Sequence, residues 1–216
     1  MKDSLVTIIG SSYFEPISTL LEKLNRNTKN SPNEVQASHL ENGYAASICL
    51  LAVVCLESYV MRVRYVNNAT QKEIDKASVP KYIKTLYSDF SYENELIEIH
   101  ILRDLIAHNH LWEINFLWDQ EVDMNLDSIN RRSKGDKKYE QYVDTNNNTT
   151  KTLKLNVNPI KVCKDDAIIV LQTMWKTLLF LEDKNRNQCY VSHLSVRHEG
   201  KSQKFGEIVG LPDTHT

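Results

Sequence analysis

The stretch Ala45 to Leu56 decides most of what this chain can become. Twelve residues pass with only Ser47 polar among them, before Glu57 interrupts the run. In water such a run must be covered on nearly every side. The run is well short of the roughly 20 apolar residues that cross a bilayer. It therefore reads as the buried spine of a core. Helical spacing extends the element from about His39 to Val66, and Asn67 and Asn68 end it.

A spine of this kind needs partners, and the rest of the chain offers them. Phe14, Ile17, Leu20, Leu21 and Leu24 recur at helical intervals between Ser12 and Leu24, and a loop is expected from Asn25 to Asn33. Ser78-Val79-Pro80 is a helix start, with Ser as cap and Pro in the first turn. Ser91 with Glu93 and Glu95 is another, and predicts a helix from about Tyr92 to His110. Asp165 and Asp166 open a last strong helix that runs to about Asp183. Between these two the period changes. Leu111 to Trp118 reads as a strand, Asp119 to Thr150 as a polar excursion, and Leu153, Leu155 and Val157 alternate as in a second strand. The tail from Gln188 to Leu211 has room for one or two strands.

The expected fold is mainly α: a bundle of four to five helices, a small β insertion before the last core helix, and a short β-rich C-terminal tail. A single domain over 1–216 follows, with helical core at about 12–110 and 162–184, insertion at 111–161 and tail at 185–216. With 216 residues the chain buries a sizeable core without disulfides or metals. Lys+Arg number 26 and Asp+Glu 28, which excludes a generally basic nucleic-acid binder but leaves room for a local patch. Cys49, Cys55, Cys163 and Cys189 form no C-x-x-C pair and suit a reducing compartment. No secretory leader is visible at the start. The expectation is a cytoplasmic protein without membrane contact.

The chemistry concentrates on His100-Ile101-Leu102-Arg103-Asp104-Leu105-Ile106-Ala107-His108. On a helical wheel, Ile99, Ile101, Leu102, Leu105 and Ile106 cover a core side. His100, Asp104 and Ala107 lie opposite, flanked by Arg103 and His108. Arg offers a permanent charge and a forked donor set that matches phosphate oxygens. His moves a proton near neutral pH. RNA brings its own nucleophile, the 2′-OH. The same spacing also arises on a solvated helix face. Glu57 shares a face with Leu50, Val53, Val54, Val60 and Met61, where a lone carboxylate is costly. Either it meets Arg103 or His100 from a neighbouring helix, or it reaches solvent beside Arg62 or Arg64.

Arg103-Asp104-Leu105-Ile106-Ala107-His108 resembles the R-x4-H signature, with a polar residue after the Arg, of the HEPN superfamily (higher eukaryotes and prokaryotes nucleotide-binding). Leu56-Glu57-Ser58-Tyr59-Val60 is similar to the acidic motif on that family's second helix, and the order of helices agrees over roughly residues 12–183. The resemblance implies a helical bundle that dimerises and joins two motifs in one cleft. It implies a metal-independent endoribonuclease leaving 2′,3′-cyclic phosphate ends, acting without a cofactor in toxin–antitoxin or other defence settings. His108 would be the acid/base, Arg103 would hold the scissile phosphate, Asp104 would orient one or both, and Glu57 would support them. Partners would be RNA, a second copy, and an antitoxin or neighbouring defence protein. The alternative is an inert bundle of the same fold that binds RNA, a nucleotide or a protein.

The chain departs from the family at His110, where some members carry a Tyr two residues after the His, and in the size of its insertion. Arg131, Arg132, Lys134, Lys137 and Lys138 in that insertion are candidates for gripping RNA phosphates, or a solvated charged loop. No metal site is expected: Cys189, His193 and His198 lack a standard zinc spacing and a fourth ligand.

Overall fold

A computed structural model describes residues 8–28, 36–108, 113–116, 124–127 and 137–211; at 113–116 and 124–127 it gives the backbone path. A 3-10 turn, Gly10–Tyr13, leads into α1 (Phe14–Asn27), which buries Phe14, Ile17, Leu21 and Leu24 on one face. The helix runs three residues past Leu24, into the stretch expected to be loop. α2 (His39–Val66) has the predicted limits, with Ser38 as N-cap accepting from the Glu41 N–H. Its buried face, Ile48, Cys49, Ala52, Val53, Cys55, Leu56, Tyr59, Val60 and Val63, is shared out among α1, α5 and α7. By length and composition α2 is also long and apolar enough to cross a membrane, although half of its most apolar stretch is buried in the fold. The apolar run, Ala45 to Leu56, is shorter, because isolated polar and charged residues interrupt the rest of the helix.

A short helix unforeseen in the sequence, α3 (Gln71–Lys76), begins on a capping box in which Thr70 and Glu73 exchange hydrogen bonds. α4 (Val79–Leu86) starts at Ser78 with Pro80 in its first turn. α5 (Glu93–Ala107) is capped by Tyr92, not by Ser91, and its helical geometry stops at Ala107, three residues before the expected end. α5 has two apolar faces rather than one. Leu96, Ile99 and Leu102 enter the main core, while Ile101 and Leu105 pack in a second cluster with Tyr139, Val143 and Val157 of the insertion.

The insertion holds an antiparallel hairpin of β1 (Glu113–Phe116) and β2 (Met124–Asp127), with Ile114 opposite Leu126. It continues through α6 (Lys137–Tyr142) and a pair of two-residue strands, β3 (Val143–Asp144) and β4 (Thr149–Thr150). The strand expected around Leu153–Asn158 is not formed; the segment makes one isolated bridge, Thr149 to Asn156. The alternation does set Leu155 and Val157 inward, where both are fully buried. Several of the backbone amides, however, go to side chains. Thr152 and Leu153 N–H donate to Glu98 (2.8 and 2.7 Å), and Asn156 N–H donates to Asp166 (2.9 Å). Thr150 N–H donates to the Leu155 carbonyl (2.9 Å) and Val157 N–H to the Asn148 carbonyl (3.0 Å), and with the neighbouring donors taken the pairing stops at this one bridge.

α7 (Lys164–Lys184) completes the core through Val170, Leu171, Met174, Trp175, Leu178 and Leu181. The tail supplies the hairpin of β5 (Ser195–His198) and β6 (Lys201–Lys204) and a final turn, α8 (Phe205–Ile208). Glu199 and Gly200 join the strands with φ of 48° and 78°, as a two-residue hairpin turn requires. The hairpin sits on α1: Ser18 Oγ donates to the Arg197 carbonyl (3.0 Å) and accepts from His198 Nδ1 (2.9 Å). The mainly α architecture, the small sheets before the last long helix and the β tail agree with expectation. The insertion carries a helix as well as strands.

Candidate active site

α2 and α5 pack side by side, which brings Glu57 against the polar edge of α5. Arg103 Nη2 donates to Glu57 Oε1 at 3.3 Å. His100 Nε2 lies 3.5 Å from the same oxygen. On its other edge Arg103 Nε stands 2.8 Å from Asp104 Oδ1, an ion contact too oblique to be a hydrogen bond. Glu57 thus takes the neighbouring-helix alternative. It does not pair with Arg64, whose guanidinium is buried, donates to the Ala77 carbonyl and lies over the Tyr82 ring.

The site grades from closed to open. Side-chain exposure rises from 7% at His100 through 28% at Arg103 and 33% at Glu57 to 48% at Asp104. His108 is the C-terminal cap of α5; its N–H donates to the Asp104 carbonyl at 3.0 Å, and the residue is exposed. Arg103 is therefore in direct contact with both Glu57 and Asp104, and His108 stands one turn beyond Asp104.

The helical wheel placed His100 on the solvated side, and the structure corrects this. His100 is buried, with Nδ1 bonded to the Leu96 carbonyl at 2.7 Å. α2 covers the face that a single-helix wheel leaves open. The signal was present in sequence, because His100 and Arg103 at i, i+3 present neighbouring side chains to one partner. The His100 imidazole, above all, and Arg103 hold the Glu57 carboxyl below its ordinary range, against the opposing pull of partial burial.

Of the insertion residues, Arg131, Arg132 and Lys134 lie outside the described residues. Lys137 and Lys138 stand exposed at the start of α6, whose Tyr139 packs with Ile101 and Leu105 of α5. Cys189 is buried against the Leu178 carbonyl and His198 is held by Ser18, so they do not meet as ligands. Among the described residues no three His, Cys, Asp or Glu side chains are grouped as a metal site would need. Compared with family models, curated proteins and solved structures, the chain matches none.

Proposed function

We propose that the chain is a metal-independent endoribonuclease of HEPN type, working as a dimer in which Arg103 and His108 of two copies line one cleft. The observation that carries this reading is the anchoring of Arg103. Carboxylates from two helices hold its guanidinium while part of it stays open to solvent, one and a half turns before an exposed His. A fork fixed in this way suits a phosphate that must be gripped in one orientation. The 2′-OH of RNA would attack the phosphorus as His108 takes its proton. The P–O5′ bond would break as a proton reaches O5′, leaving a 2′,3′-cyclic phosphate. A defence or toxin role, with an antitoxin or neighbouring protein as partner and the cytoplasm as setting, belongs to the same proposal.

A second reading has its own support. Two carboxylates on one Arg cancel much of its charge, which favours a non-catalytic bundle that binds RNA, a nucleotide or a protein. Cleavage of RNA in EDTA by wild type, Arg103→Ala and His108→Ala separates the two. The proposal expects cyclic-phosphate ends from wild type and loss in both variants with the fold intact. Undiminished cleavage in both variants, or binding without cleavage by wild type, would sink it.

A further inference from the structure

His100 has no part in the chemistry above, yet both of its ring nitrogens face acceptors. Nδ1 lies 2.7 Å from the Leu96 carbonyl, which only accepts, so Nδ1 carries a hydrogen. Nε2 is buried, has no aligned hydrogen bond, and faces Glu57 Oε1 at 3.5 Å. A carboxylate also only accepts. A bare lone pair at Nε2 would be pushed away from it, whereas a hydrogen there would be attracted.

We propose that His100 is a positioning residue: a proton at Nε2, held between the imidazole and Glu57, keeps that carboxylate turned toward Arg103. The same oxygen, Oε1, then faces both Nε2 of His100 and Nη2 of Arg103. The row of contacts runs His100, Glu57, Arg103, Asp104 from the buried end outward. The lowered range of Glu57, for which His100 is the largest cause, agrees with an ionised carboxylate facing a proton donor. Arg103 and, farther off, Arg64 also act on Glu57, and Tyr82 of α4 lies under Arg64. Glu98 of α5 and Asp166 of α7 are engaged with backbone amides elsewhere, and Lys137 and Lys138 of α6 are exposed. Loss of the Nε2 proton would turn Glu57 away and release Arg103 on that side.

The consequence for cleavage rests on the proposed role of Arg103; the His100–Glu57 pairing does not. Two measurements on the full chain keep these apart. The first is an NMR titration of the Glu57 carboxyl carbon and the His100 ring nitrogens. It should show both ring nitrogens protonated at the pH where Glu57 first ionises, and a second inflection of the Glu57 signal where the ring gives up its Nε2 proton. In His100→Gln, which retains a donor of similar reach, that inflection should vanish. A ring already neutral at the pH where Glu57 first ionises, or a Glu57 titration unchanged in His100→Gln, overturns the inference. The second is RNA cleavage against pH. His100→Phe should lose about 10- to 100-fold in kcat, as expected when a gripping group is misplaced by about 1 Å, and His100→Gln should recover most of it. Equal losses in Gln and Phe that track stability would leave His100 as packing and overturn the positioning role. Wild type without cleavage would refute the nuclease reading, while the titration still judges the pair.

Discussion

Replacing Glu98 by Gln tests how the insertion is fastened to the helix that carries the motif. Glu98 is fully buried, and its two oxygens accept from the backbone amides of Thr152 and Leu153 at 2.8 and 2.7 Å. Gln keeps one oxygen and sets an NH2 against the other amide. One charge-assisted bond, about 1.5–3 kcal/mol, is lost, and the survivor falls to the neutral value of about 1 kcal/mol. Two effects reduce the sum. The buried charge no longer needs compensation, and Thr152 is exposed, so water can replace its lost acceptor. Orienting the retained oxygen toward the half-buried Leu153 is therefore the better arrangement. The net cost expected for Glu98→Gln is about 2 kcal/mol, or about 4–8 °C in Tm for a chain of this size. Urea denaturation measures the energy, and amide exchange should speed up at Thr152 and Leu153 ahead of the α2 core. A change below about 0.5 kcal/mol with unaltered exchange at those amides would refute the claim that this carboxylate holds the segment.

Three further outcomes are expected. Arg103→Lys keeps the charge but cannot reach Glu57 and Asp104 with two edges of one fork, so RNA cleavage should fall about tenfold or more; wild-type rates would contradict the anchored-fork argument. Because the folded Glu57 carboxyl lies below its ordinary value of 4.5, its contribution to stability is present above that pH and is lost as pH falls through the lowered value. Glu57→Gln should therefore flatten the acid side of the stability profile; the effect will be small, since a side chain one-third exposed is screened by solvent. Gly206→Ala would put a Cβ 2.6 Å from the Leu211 carbonyl oxygen and 2.9 Å from Trp175 Nε1. Thermal unfolding should show a loss of about 1–3 kcal/mol, since the obstacles are backbone and a core ring.

The sequence exposes whatever a single element can reveal by itself. α2 and α7 are legible because apolar periodicity and acidic first turns are local, and Pro80 marks α4 for the same reason. α3 is equally local, since Thr70 and Glu73 spell a capping box, but no apolar periodicity behind them marks a helix. Residues 153–158 show the opposite case. Their alternation places Leu155 and Val157 inward correctly, but how far they pair as a strand depends on Glu98, Asp166 and the Thr150 hydroxyl, which take the amides of Leu153, Asn156 and Leu155. The candidate site divides in the same way. Arg103, Asp104 and His108 come from one helical stretch and are visible as a motif. Glu57 stood out by its misfit on an apolar face. His100 was misplaced because a wheel drawn for one helix does not show that α2 roofs it.

The position of α2 in the chain has a consequence for how the protein is made. Its last helical partner, α7, begins roughly a hundred residues after Val66. At about 5–20 residues per second, a ribosome needs about 5–20 s to supply it. During that interval the nascent chain carries a helix apolar enough to be mistaken for a membrane segment, with α1 alone available at first and α5 later. Synthesis of this chain should therefore lean on whatever shields apolar helices at the ribosome exit. Substitutions that weaken α7 should show up first as poor yield from the ribosome, before any change in the finished fold is measured.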